Sequence, residues 1–161
     1  MHAMTNTHHT SGTTPPRGRS PFDDARPLVL LAEDDPEIQR ALAEFLEVIG
    51  YDVIAVDTGS DMLDALGSMA ADGGREADII VTDVRMPGLN GVSIAEELRA
   101  DGWQQPIVII SAFDDPALLS RVRSISRCAF FAKPLDPALF EKTLADLRRP
   151  RWTGPTALHV R

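Results

Sequence analysis

Five short apolar runs alternate with segments of helical apolar spacing, and few folds accommodate that alternation. Leu28–Ala32, Tyr51–Val56, Ile79–Thr82, Ile107–Ile110 and Cys128–Ala132 read as strands. Four of them are apolar at almost every position, the pattern of strands covered on both faces. Between them, Ile38, Ala41, Leu42, Phe45 and Ile49 recur at helical spacing, as do Met62, Leu63, Leu66 and Met69, and then Val92, Ile94, Ala95 and Leu98. A fourth helix is expected from Asp115-Pro116 to Ser126, and Leu139, Phe140, Leu144 and Leu147 mark a fifth. Strand and helix alternating five times predict an α/β fold, a doubly wound parallel sheet with helices on both faces.

Punctuation along the chain agrees with that reading. Asp35-Pro36, Asp115-Pro116 and Asp136-Pro137 each place an N-cap carboxylate before a proline suited to the first helical position. Gly50 suits the left-handed terminator of the first helix, and the polar run Ala70–Ala77, with Gly73-Gly74, reads as a loop.

Residues 1–26 are rich in Thr, Ser, Pro, Gly and His, too polar to repay the entropy of ordering, and are expected to be a disordered tail. His2, His8 and His9 have no carboxylate or thiol neighbour to make them a metal site. A domain then spans 27–148. Residues 149–161 are expected to be a basic, solvated tail, with a docking peptide as the alternative, and they are too few for a helix-turn-helix module.

Charge narrows the partners. The chain has 24 acids against 16 Lys and Arg, and of those acids only Asp23 and Asp24 lie outside the domain. An acidic body is ill suited to the phosphate backbone of nucleic acid or to an anionic membrane, and it suits a divalent cation. Cys128, the one cysteine, lies inside an apolar run, which argues for a buried thiol and a reducing compartment. The longest apolar runs fall well short of a membrane span and no leader pattern opens the chain, so a cytoplasmic protein is expected.

In a parallel sheet the carboxyl ends of the strands share one edge, where open α/β sheets place their ligands. Here that edge collects Glu33 and Asp34, Asp83, Ser111 and Lys133 from the first, third, fourth and fifth apolar runs. Converging carboxylates repel one another unless a hard cation such as Mg²⁺ sits among them. A lysine and a hydroxyl beside such a cation are fitted to hold a phosphoryl group, and an Asp83 oxygen can attack phosphorus in line to give an acyl phosphate.

From Leu28 to Leu147 the chain resembles the receiver domain of two-component response regulators, the CheY-like superfamily. Glu33-Asp34-Asp35, Asp83-Val-Arg-Met-Pro-Gly, Ile110-Ser111-Ala112 and Lys133-Pro134 carry the resemblance. It implies a flavodoxin-like, five-stranded sheet in order 2-1-3-4-5. It also implies a phosphoryl group taken by Asp83 from a histidine kinase or a histidine phosphotransfer protein. By matched position, Asp34 and Asp83 would ligate Mg²⁺ directly, Glu33 through water, and Arg85 by its backbone carbonyl. Lys133 would pair with the phosphoryl group, Ser111 would move to hydrogen-bond it, and Phe130 would swing inward with Ser111. A cis bond between Lys133 and Pro134 is implied as well.

The implied protein is a stand-alone receiver that catalyses only its own phosphorylation and dephosphorylation, with a downstream protein effector and room for a homodimer. Departures from the family pattern are Ser126 and Arg127 in place of Gly-Ala, Leu135 after Pro134, and Ser111 in place of Thr. A degenerate receiver serving only as an interaction module is one alternative. A haloacid-dehalogenase-type phosphatase is another, although that chemistry expects an acid two residues after the nucleophile, where this chain has Arg85.

Overall fold

Strands form where β-branched and other apolar residues run together, and helices form where those residues recur at every third or fourth position. In chain order these are β1 (Leu28–Ala32), α1 (Pro36–Val48), β2 (Asp52–Val56), α2 (Gly59–Ala71), β3 (Ile79–Asp83) and α3 (Gly91–Ala100). There follow β4 (Ile107–Ser111), α4 (Pro116–Ser124), β5 (Cys128–Ala132), α5 (Pro137–Leu147) and β6 (Ala157–Val160). The computed structural model describes residues 25–113, 115–149 and 157–160. The expected tail over residues 1–26 therefore lies almost wholly outside the described residues.

All neighbouring strands pair in parallel, in order β2-β1-β3-β4-β5-β6. The first five positions are the expected 2-1-3-4-5. Of the solvated tail expected over 149–161, residues 150–156 and 161 lie outside the described residues, while Ala157–Val160 form the sixth strand and pair with Cys128–Phe131 on the outer edge of β5. Composition could not reveal this, because an edge strand presents unpaired N–H and C=O groups that any short extended segment can meet. Two smaller differences concern ends: α2 runs on to Ala71 into the expected loop, and α4 stops at Ser124 rather than Ser126.

Alternate residues of each central strand face opposite layers. Val29, Leu31, Ile79, Val81, Val108, Ile110 and Phe131 pack with Leu42 and Leu46 of α1 and with Phe140, Leu144 and Leu147 of α5. Leu30, Ile80, Ile107, Ile109, Cys128 and Phe130 pack with Met62 and Leu66 of α2, with α3, and with Leu118 and Val122 of α4. So α1 and α5 cover one face and α2, α3 and α4 the other. Burying each such side chain stabilises the fold by about 1.5–3 kcal/mol, which fixes the strand ends in one plane.

The three Asp-Pro starts behave as read. Asp35 accepts from the Glu37 and Ile38 N–H groups, Asp115 from Leu118 and Asp136 from Leu139, each beside a proline in the first turn. Gly50 ends α1 at φ 101°.

Candidate functional site

The strand register brings the expected residues to one edge. Ala32 pairs with Thr82, Asp83 with Ile110, and Ser111 with Ala132, so the residues at the four strand ends emerge side by side. Glu33 and Asp83 are buried there, at 2% and 8% exposure, while Asp34 reaches solvent. One carboxylate oxygen from each of Glu33, Asp34 and Asp83 lies within 4.8 Å of the others.

Lys133 bridges two of these acids. Its Nζ donates to Glu33 Oε2 at 2.9 Å and to Asp83 Oδ2 at 3.2 Å. Burial pulls the Lys133 pKa down, but the two carboxylates outweigh it, and the net direction is up, so the ammonium stays charged. Glu33 moves up as well, because its burial outweighs the pull of Lys133 and the Asp35 N–H. A positive charge added beside Glu33 and Asp83 would relieve that cost.

Asp83 is held by backbone. Its Oδ1 accepts from the Val84 N–H at 2.7 Å, leaving Oδ2 to face Lys133. The loop after it folds back tightly: Gly91 N–H donates to Val84 O, and a Cβ on Gly91 would stand 2.1 Å from Asp83 O. Only glycine permits that approach. Asn90 then caps α3 by accepting from the Val92 N–H.

Ser111 is buried, and its Oγ accepts from the Phe113 N–H at 2.9 Å. Phe130 is fully buried on the α4 side of the sheet. Arg85 and Phe113 both reach the surface beside the acids, with the Arg85 guanidinium carbon 3.7 Å from the Phe113 ring centre. The Lys133–Pro134 bond is cis, as the resemblance implied.

Sequence reading missed two supports. Gln39 Nε2 lies within donating distance of Glu33 O, Val56 O and Asp57 Oδ1, tying α1 to the ends of β1 and β2. Arg99 donates to the carbonyls of Ser126, Trp103 and Gln105, fastening α3 to the loops before β4 and β5. A glutamine in the first turn of α1 was the available signal for the former. An Arg followed four residues later by Trp gave none for the latter. An apolar cavity of about 650 Å³ adjoins the site between α1 and α5, lined by Ile38, Leu42, Phe45, Lys133, Leu135 and Phe140 among others.

Three carboxylates within 4.8 Å of one another, a charged lysine against two of them and a buried hydroxyl at the neighbouring strand end thus share one edge of the sheet. The family model of the response regulator receiver domain matches residues 29–145. The chain belongs to that family.

Relatives agree with the assignment. This receiver is 33% identical over 127 residues to the sensory/regulatory protein RpfC of Xanthomonas campestris, covering 76% of this chain and 17% of that protein. It is 32% identical over 110 residues to the transcriptional regulatory protein FixJ of Azorhizobium caulinodans, covering 68% of this chain and 49% of that one. The chain thus spans half or less of the length of these relatives. Among solved structures, the chemotaxis protein CheY4 of Vibrio cholerae shares the fold at TM-score 0.66 and 22% identity, over 76% of this chain and 99% of that one. The receiver domain of the Francisella response regulator 1452 matches at TM-score 0.63 and 26% identity, covering 76% of this chain and 96% of that one. No helix among the described residues is long and apolar enough to cross a membrane.

Proposed function

We propose that this receiver accepts a phosphoryl group on Asp83 from a histidine kinase or histidine phosphotransfer protein, with Mg²⁺, and that the modified form alters its binding to a protein effector. The observation that carries the reading is Lys133 held between Glu33 and Asp83, with all three acids at one edge.

The donor set suits Mg²⁺: three carboxylates, one exposed and two buried, with all-oxygen chemistry. Asp34 and Asp83 would hold it directly, Glu33 through water and Arg85 by its backbone carbonyl. Bound there, the cation would neutralise charge on the transferring phosphoryl oxygens.

The chain's own residues account for the rest. Asp83 Oδ2 forms the new bond to phosphorus as the bond from phosphorus to the donor's histidine nitrogen breaks, and the imidazole leaves. The Val84 N–H holds Oδ1 and so aims its partner oxygen. The Lys133 ammonium moves from the two carboxylates to the phosphoryl oxygens. Ser111 exchanges its bond from the Phe113 N–H for one to phosphate, and Phe130 follows. This couples the site to the α4 face of the sheet.

The phosphatase alternative needs an acid where Arg85 stands, and Arg85 instead packs on Phe113. The reading expects a cytoplasmic protein that works through protein contacts rather than nucleic acid.

Acetyl phosphate with Mg²⁺ tests it. The wild type should gain one phosphoryl group by intact mass, EDTA should prevent the gain, and Asp83→Asn should abolish it. Labelling of Asp83→Asn at the wild-type level would overturn the assignment, and a chain that binds no Mg²⁺ would instead be a degenerate interaction module.

A further inference from the structure

Strand β6 stands outside the receiver family match, which ends at residue 145. It pairs along β5, with Cys128 opposite Ala157, Ala129 opposite Leu158, Phe130 opposite His159 and Phe131 opposite Val160. It also lies against α4. Its connection is the unusual feature.

The units β3–α3–β4 and β4–α4–β5 step one way along the sheet, with their helices on the face covered by α2, α3 and α4. The unit β5–α5–β6 takes another step in the same direction, yet α5 covers the opposite face. Same step and opposite face mean opposite hand. Parallel crossovers are right-handed in about 98% of cases, because a twisted strand and a right-handed helix pack back onto the sheet only that way. If the two earlier units are right-handed, this last one is left-handed.

A left-handed return disfavours pairing of β6 with the β5 of its own chain. The edge hydrogen bonds themselves have no such preference. They form equally well with the same segment of a second copy, where no crossover joins the paired strands. Residues 148–156, which include Pro150, Gly154 and Pro155, connect α5 to β6 and reach at most about 30 Å when extended. A return of the disfavoured hand is relieved when identical terminal segments exchange between protomers, a low-cost route to dimers.

We propose that the outer edge of β5 is a strand-accepting surface for a second copy of this chain, and that Ala157–Val160 exchange between protomers to make a closed, two-fold dimer. Each β5 edge is then covered by the other chain's β6. The exchange requires no phosphorylation, so it stands apart from the reading of Asp83.

Light scattering on size-exclusion fractions of three chains tests it: the full chain, a truncation after Arg149, and a linker deletion of Arg151 to Gly154. The full chain should show a dimer fraction that rises with concentration, the truncation should be monomeric throughout, and the deletion should be dimeric at concentrations where the full chain is mostly monomer. A truncation that dimerises like the full chain, or a deletion that stays monomeric, would overturn the proposal. Amide exchange supplies the second readout. Slower exchange at residues 157–160 in the dimer than in the monomer supports the exchange, whereas equal rates in the two assign the dimer to another surface and overturn it.

Discussion

Arg85 lays its guanidinium carbon 3.7 Å from the centre of the Phe113 ring, joining the loop after β3 to the loop after β4 across the mouth of the site. Two residues beyond Asp83 and two beyond Ser111, the pair would hinder water on its way to the phosphoryl group that we propose Asp83 accepts. Phe113 keeps 48% of its surface exposed, so the stack contributes about 0.5–1 kcal/mol. Arg85→Ala and Phe113→Ala should each speed loss of phosphate from Asp83 by roughly two- to fivefold, if that energy holds the cover closed. The double variant should add little to either, since both break one contact. Decay of the phosphorylated form followed by intact mass reads this directly, and unchanged rates in both single variants would remove the pair from any role in signal lifetime.

Gly91 and Gly67 separate close approach from mere flexibility. A Cβ on Gly91 meets Asp83 O at 2.1 Å and Thr82 Oγ1 at 2.9 Å, both parts of a fixed strand, whereas a Cβ on Gly67 in α2 meets nothing within 4 Å. Gly91→Ala should lower stability in urea by about 1–3 kcal/mol or more and weaken Mg²⁺ binding, because backbone at Asp83 has to shift. Gly67→Ala should raise stability by about 0.5–1 kcal/mol through helix propensity alone. Equal effects of the two would contradict the packing described.

The caps give a prediction of known size. Asp136 accepts from the Leu139 N–H at 2.9 Å at the start of α5, on the surface. Asp136→Ala should cost about 1 kcal/mol, and Asp136→Asn or Asp136→Ser much less, since each retains an acceptor oxygen. Urea midpoints at constant slope would measure it. A loss in Asp136→Asn as large as in Asp136→Ala would mean that charge, and not the cap bond, carries the effect.

Local chemistry explains why so much of the fold was legible. Asp35-Pro36, Asp115-Pro116 and Asp136-Pro137 each state a helix start within a few residues, and consecutive apolar positions state a strand buried on both faces. The site was legible for a related reason: a parallel sheet converts positions in sequence, each just past an apolar run, into neighbours in space. What escaped depends on contacts far apart in the chain. The pairing of Ala157–Val160 with β5 has no periodicity to announce it in four residues. The approach of Gly91 to Asp83 O was likewise invisible, because glycine is equally common in loops that touch nothing. Arg127 shows the same limit. It takes φ 49° without being glycine and donates from Nη2 to Leu147 O, so a departure from the family pattern is matched by a bond to the end of α5.

Cys128 carries a final test, through pH. Fully buried on β5, its thiol is pushed up by burial to about 12 from an ordinary value of 9.0, with Arg99 opposing the shift. The folded chain therefore keeps the proton over a range in which the unfolded chain releases it. Between about pH 9 and 12 the unfolded state binds fewer protons, and stability falls as pH rises, at up to about 1.4 kcal/mol per unit from this group. Well below pH 9 the group contributes almost no slope. Cys128→Ala creates a small cavity and lowers stability at pH 7, but its stability curve should be flatter than the wild type's between pH 9 and 10.5, and the two should converge. Urea unfolding at pH 7.5, 9 and 10 distinguishes the cases. A wild-type curve parallel to that of Cys128→Ala across this range would show that the thiol ionises in the folded chain as readily as in the unfolded one, and a thiol reagent would then label the native protein at pH 9.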